Sequence, residues 1–198
     1  MIFASCLLET TGGCNPAASA TPIVTHRKPR PDEPHETAIL AGGCFWGMEQ
    51  VLRRAPGVID IEVGYAGGSS TQVSYDDVAD GHTGHAESVR IVFDPTKTSY
   101  ENLLTHWFFR AHDPTTPNRQ GNDVGTQYRS AIFATSDSQL RTAEAVKARV
   151  EQSGKWKKPI VTQIVTATTF VRAEEEHQDY LIKNPQGYND HYLRSFDF

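Results

Sequence analysis

Apolar and polar residues alternate along some stretches of this chain and recur at helical spacing along others, and the order of these patterns sets the expected architecture. Thr37 to Leu40 begins an apolar run that closes in Gly42-Gly43, which predicts a strand feeding a tight turn. Phe45, Met48, Val51 and Leu52 then recur at helical spacing up to Pro56-Gly57, so Cys44 stands at a helix start. Ile59, Ile61, Val63 and Tyr65 alternate with Asp60, Glu62 and Gly64, the pattern of a half-buried strand, and Gly67-Gly68-Ser69-Ser70 is a loop. A second alternation runs from Ala86 to Phe93 and puts Glu87, Val89, Ile91 and Phe93 on one face. Thr98 and Glu101 form a capping-box pattern for a helix carrying Leu103, Leu104, Trp107 and Phe108. His112 to Asn122 reads as loop, and Tyr128, Ser130, Ile132 and Ala134 as one face of a third strand. Ser136 and Gln139 cap a helix with Leu140, Ala143, Val146 and Val150 on its apolar face. A fourth strand is expected over Ile160 to Val165 and a short helix over Ala173 to Ile182.

Strands and helices interleave at irregular spacing, and some strands follow each other directly. The expected class is α+β, a two-layer sandwich with a ferredoxin-like mixed sheet, helices packed on it and long connecting loops, rather than a doubly wound parallel sheet. A length of 198 residues suits one domain with a substantial core. Residues 1–35 are Pro, Thr, Ala and charge without period and read as a flexible leader, leaving 36–198 as the single folded domain. In the leader, Met1 to Leu8 is apolar but short and has no basic residue before it, while Ala18-Ser19-Ala20 has the form of a signal-peptidase site. The expected location is cytoplasmic, or periplasmic or exported if the leader acts as a signal.

Charge and cysteine content narrow the chemistry. The formal net charge is -5 and no basic block stands out beyond residues 26–30, which argues against a nucleic-acid binder. No apolar run approaches the roughly 20 residues needed to span a bilayer. The three cysteines are Cys6, Cys14 and Cys44, two in the leader and one in the body. The body can therefore form neither an internal disulfide nor a zinc site built on cysteine pairs.

Cys44 is the first candidate for chemistry. A helix N-terminus supplies partial positive charge and free N–H groups, which lower a thiol pKa, whereas a free cysteine is also a good buried hydrophobe. Phe45 and Trp46 follow it directly; they suit a pocket that grips an apolar group beside the sulfur, and equally the core. Glu87 shares a face with Val89, Ile91 and Phe93, where desolvation would raise its pKa and let it act as a proton donor; otherwise its head reaches solvent at the strand end. Asp123 and Tyr128 lie in the polar, glycine-bearing run 119–129, which serves either binding or ordinary turn geometry, and Tyr75 stands beside the Gly-rich loop. His82, His85 and Glu87 are also a loose candidate metal set. A thiol peroxidase, or a cysteine hydrolase with His85 as activating base, is the competing enzyme reading, although His85 falls on the opposite strand parity from Glu87.

Three segments in order carry a family resemblance: Gly43-Cys44-Phe45-Trp46-Gly47, Gly84-His85-Ala86-Glu87 and the run from Arg119 to Ser130, with Gly64-Tyr65-Ala66-Gly67-Gly68 between the first two. The chain resembles the peptide methionine sulfoxide reductase A family over roughly residues 36 to 188. The resemblance implies that Cys44 attacks the sulfoxide sulfur and becomes a sulfenic acid, and that Glu87 protonates the oxygen. It further implies that Tyr75 and Tyr128 hydrogen-bond that oxygen, Asp123 supports the polar network, and Phe45 and Trp46 hold the S-methyl group. It implies action on the S epimer of free or protein-bound methionine sulfoxide, with no metal or organic cofactor and a thiol as reductant.

The chain departs from many members of that family at one point. They carry resolving cysteines near the C-terminus, whereas Gly187-Tyr188-Asn189-Asp190-His191 runs on to Phe198 without one. The oxidised Cys44 is then expected to be reduced by a small thiol such as glutathione with glutaredoxin, by thioredoxin, or by Cys14 or Cys6 from the leader. About 30 flexible residues reach roughly 30 Å. An external thiol ranks first, and a monomer is expected, with neither nucleic acid nor membrane as partner.

Overall fold

A computed structural model describes residues 27–198. Cys6, Cys14, the apolar start and Ala18-Ser19-Ala20 lie outside the described residues. The mixed sheet has six strands: β1 (Glu36–Gly42), β2 (Val58–Ala66), β3 (Ala86–Phe93), β6 (Ser130–Ala134), β7 (Gln163–Thr166) and β8 (Phe170–Arg172), in the order β7-β6-β1-β3-β2-β8. Two short strands, β4 (Arg119–Gln120) and β5 (Asp123–Val124), pair separately. The helices are α1 (Phe45–Leu52), α2 (Tyr75–Ala79), α3 (Tyr100–Asn102), α4 (Phe109–Ala111), α5 (Asp137–Gln152) and α6 (Tyr180–Lys183). The central β6-β1-β3-β2 order, joined as β1-α1-β2-β3-helix-β6, is the split βαβ arrangement of a ferredoxin-like α+β sandwich. β7 adds in parallel on β6 at one edge, and β8 adds antiparallel on β2 at the other.

Strand parity decides which face receives the helices. Ala38 and Leu40 of β1, Ile61, Val63 and Tyr65 of β2, Val89, Ile91 and Phe93 of β3 and Ile132 of β6 form one core with Phe45, Met48, Val51 and Leu52 of α1 and Ala143, Val146 and Val150 of α5. Each Val, Leu, Ile, Phe or Met side chain among them contributes about 1.5–3 kcal/mol when fully buried. The opposite face is thin and carries Ile39, Ala41, Ala66, Ala86, Ala131 and Phe133. There Glu62 pairs with Arg90 and Arg172, and the Arg90 guanidinium lies 4.9 Å from the centre of the Phe170 ring. Because Glu87 has the parity of Val89, its carboxyl enters the helix side of the sheet.

Several local expectations change. The cap of α3 is Ser99, whose hydroxyl accepts from Asn102 N–H at 3.0 Å, while Thr98 ends the preceding turn on Asp94. Leu103–Phe108, between α3 and α4, is a π-helix, a widening that apolar spacing does not reveal. β2 is buried along nearly its whole length because β3 and β8 flank it. Tyr128 sits in a 3-10 turn (Thr126–Tyr128) rather than on β6, and Leu140 is only half-buried. The fourth strand begins at Gln163, not Ile160. Only Tyr180–Lys183 of the expected last helix is helical, since residues 175–179 form turns and Asp179 takes a left-handed φ of 54°.

Candidate active site

Cys44 caps α1 at the end of the turn from β1. The turn needs glycine at position 43, where φ is +102° and an added Cβ would lie 2.4 Å from Gln120 Cγ. Gly42 is held by its carbonyl, which accepts from His191 Nε2–H at 2.8 Å. Cys44 is 7% exposed, and Phe45 beside it is buried.

Glu87 reaches this helix start from β3. Its Oε2 accepts from Phe45 N–H at 3.0 Å, so the carboxyl satisfies one of the free donors of α1 immediately beside the thiol. Glu87 is 2% exposed, and burial pushes its pKa up to about 8, against the Phe45 hydrogen bond and with help from the Asp123 charge. Most of the group is therefore a neutral acid near pH 7. The Cys44 thiol is also pushed up, first by burial and then by the charge of Glu87; the backbone N–H groups of Trp46 and Gly47 act in the opposite direction and lose. The helix start does act on the thiol as expected, but burial and two carboxylates outweigh it.

The two tyrosines come from separate loops. Tyr75 is the first residue of α2, whose start is fixed by a reciprocal cap between Ser74 and Asp77. Burial and then Glu87 push its phenol up to about 12. Tyr128 is raised by burial and then by Glu87, Tyr75, Asp123 and Cys44, which places all five groups within one electrostatic neighbourhood. Asp123 is raised by burial and by Asp190, against a hydrogen bond from the Tyr188 hydroxyl.

An aromatic wall completes the site. The Phe45 ring lies 6.3 Å from Trp46 and 6.5 Å from Tyr75, and Trp46 stacks on Tyr180 at 3.8 Å. Cys44, Phe45, Trp46, Tyr75, Glu87, Asp123 and Tyr128 are thus brought together. His85 is not: its Nε2 bonds Ser70 O at 3.1 Å, and its carbonyl accepts from Arg129. Among the described residues no three His, Cys, Asp or Glu side chains gather in reach of one ion, so His82, His85 and Glu87 do not form the candidate metal set.

Several residues that support the site carry no sequence pattern of their own. Arg129 bonds Gly84 O at 2.9 Å, His85 O at 3.2 Å and Thr126 O at 2.8 Å, tying the approach to Glu87 to the turn that holds Tyr128. Gln127 donates to Ala79 O at 2.9 Å and Thr126 to Gly81 O at 3.1 Å, which ties that turn to the end of α2. Tyr188, Asp190 and His191 arrive from the C-terminal segment. Thr126, Gln127 and Arg129 lie inside the run from Arg119 to Ser130; Tyr188, Asp190 and His191 carry no signal beyond their chemistry.

The family model described as "Peptide methionine sulfoxide reductase" matches residues 36–197. The "Peptide methionine sulfoxide reductase MsrA" of Nocardia farcinica (strain IFM 10152) is 54% identical over 157 residues, covering 79% of this chain and 89% of that protein. Among solved structures, Mxr1 from Saccharomyces cerevisiae in reduced form is similar with a TM-score of 0.79 and 42% identity, covering 85% of this chain and 96% of that one. The same protein in complex with Trx2 is similar with a TM-score of 0.57 and 30% identity, again covering 85% and 96%. With a buried thiol, a neutral carboxylic acid and an aromatic wall assembled on this fold, the chain belongs to the peptide methionine sulfoxide reductase A family and is a methionine sulfoxide reductase.

Proposed function

We propose that Cys44 reduces the S epimer of methionine sulfoxide, free or in proteins, with Glu87 as the acid, and thereby repairs oxidised proteins. The observation that carries this reading is the Glu87 carboxyl bonded to Phe45 N–H beside the thiol and largely protonated near neutrality. The methyl group packs on Phe45 and Trp46, and the oxygen takes hydrogen bonds from Tyr75 and Tyr128. A bond forms between Cys44 Sγ and the substrate sulfur as the Glu87 proton goes to the oxygen. That bond then breaks, the oxygen passes to Sγ, and the thiol proton restores Glu87. The products are a thioether and a Cys44 sulfenic acid, with two electrons moved from cysteine to substrate. The raised thiol pKa suits this order, because the thiol keeps its proton until a substrate oxygen is there to receive one.

Among the described residues Cys44 is the sole cysteine, so the sulfenic acid has no resolving thiol within 27–198. An external thiol attacks it, releasing water and leaving a mixed disulfide that a second thiol clears. A thioredoxin-class donor is favoured, because a similar protein has been solved in complex with Trx2; glutathione with glutaredoxin is the other donor. A cytoplasmic setting suits a cycle that consumes reduced thiols. No helix among the described residues is long and apolar enough to cross a membrane. We read residues 36–198 as one catalytic unit, because α1, α2, β3 and the turn at Thr126–Tyr128 all contribute to the site, and we propose that it acts as a monomer. Cys44→Ser should abolish reduction of methionine sulfoxide with dithiothreitol as reductant; wild-type turnover in that variant would sink the proposal.

A further inference from the structure

Residues 173–179 join β8 to α6 and hold none of the groups given a chemical role above, yet they touch the site from several sides. Glu174 is the centre of these contacts. Its Oε2 accepts from Tyr65 O–H at 2.8 Å, and its Oε1 accepts from Tyr75 N–H at 2.9 Å. Tyr65 is fully buried and stands opposite Glu87 in the β2–β3 ladder. His177 stacks on the Tyr75 ring with centroids 4.4 Å apart and lies 5.5 Å from Phe45. Gln178 anchors the segment to β2: its amide donates to Val63 O and accepts from Val63 N–H, each at 2.9 Å.

α2 needs such an anchor. Five residues are too few for a helix to hold its own geometry, and Tyr75 N–H is one of the donors a helix start leaves free. The Ser74–Asp77 cap is local and exposed, so it fixes the first turn without fixing where that turn sits on the sheet. Glu174 supplies the link. One carboxylate accepts from the fixed Tyr65 hydroxyl and from the backbone of Tyr75, and its negative charge at the helix start is favourable.

We infer that Glu174, with His177 stacked on the same ring, is a positioning residue that sets where the Tyr75 hydroxyl stands relative to Cys44 and Glu87. The inference rests on the reading of Tyr75 as a donor to the sulfoxide oxygen. Its test is a double-mutant cycle of Glu174→Ala and Tyr75→Phe, followed by steady-state reduction of methionine sulfoxide with dithiothreitol. Glu174→Ala should lower kcat about tenfold, with KM changed less than about threefold, since the lost contact acts on the transition state. Glu174→Gln should recover most of the rate, because its amide oxygen still accepts from Tyr75 N–H and its amide N–H can donate to the Tyr65 oxygen. In the Tyr75→Phe background the same alanine change should cost less than about twofold. If Glu174→Ala does not yield folded protein, Tyr65→Phe removes one arm of the clamp without opening a cavity and is put through the same cycle. Full kcat in the clamp variant, or an equal loss in both backgrounds, overturns the inference while leaving the role of Tyr75 intact. Full activity in Tyr75→Phe alone overturns that role and the inference with it.

Discussion

Cys44 and Glu87 are each shifted toward the protonated state, and both shifts begin with burial. The acid form of Glu87 is the working form, so kcat/KM should fall as pH rises through about 8. Glu87→Gln should keep the Phe45 N–H bond through its amide oxygen, lose about 10²–10⁴ in rate and lose that alkaline limb; a limb that persists in the variant would assign it to another group. Stability follows with a definite sign. The folded pKa lies above the unfolded value of about 4.3, so the fold holds a proton that the unfolded chain releases. Stability is then lost as pH rises across that interval up to about 8. Glutamine cannot ionise, so the stability gain of Glu87→Gln in urea titrations should grow from pH 4 to about pH 8. Both residues were legible in the sequence, Cys44 by its helix start and Glu87 by strand parity. The net direction of the Cys44 shift was not, because it depends on how deeply Phe45 and the neighbouring carboxylates enclose the thiol.

The elements that place these residues are short, and their positions are fixed by glycines and loop contacts. α1 meets the C-terminal segment at Gly47, where an added Cβ would lie 2.4 Å from His191 Nδ1 and 2.6 Å from Asn189 Oδ1. In a free helix, alanine gains about 1 kcal/mol over glycine. Here the collision with a buried ring costs about 1–3 kcal/mol and should outweigh that gain. Gly47→Ala is therefore expected to lower the urea midpoint and kcat together, because His191 must release Gly42 O to move; unchanged values for both would contradict this packing. β3, α1 and α5 were readable because each buries one face of a regular pattern, and β1 because its apolar run is buried on both faces. The π-helix at Leu103–Phe108, the short β8 and the turns at 175–179 were not. β8 and the turns are placed by partners distant in sequence: β8 pairs on β2, Gln178 bonds the β2 backbone, and Asp179 bonds Arg53 at the end of α1. Tyr128 shows the same limit, since the bonds of Gln127 and Thr126 to the end of α2 pull it off the strand its alternation suggested.

At the scale of the whole molecule the ferredoxin-like order brings β1, β3 and three loops to one end of the sheet, where Cys44, Glu87, Tyr75 and Tyr128 meet. The fold class followed from the strand and helix order; the convergence of the loops required the motifs and could not be read from periodicity. With an external thiol as the donor, Cys6→Ser/Cys14→Ser should turn over with thioredoxin at the wild-type rate. A loss confined to that donor would show that Cys6 or Cys14 relays electrons. A single-turnover experiment on the Cys6→Ser/Cys14→Ser protein isolates the oxidative half of the cycle. Reduced protein, freed of thiols, is mixed with excess methionine sulfoxide, and methionine and trapped sulfenic acid are counted. One methionine per protein, matched by one sulfenic acid on Cys44, is the expected result; no methionine, or methionine formed without oxidation of Cys44, would rule out Cys44 as the oxygen acceptor.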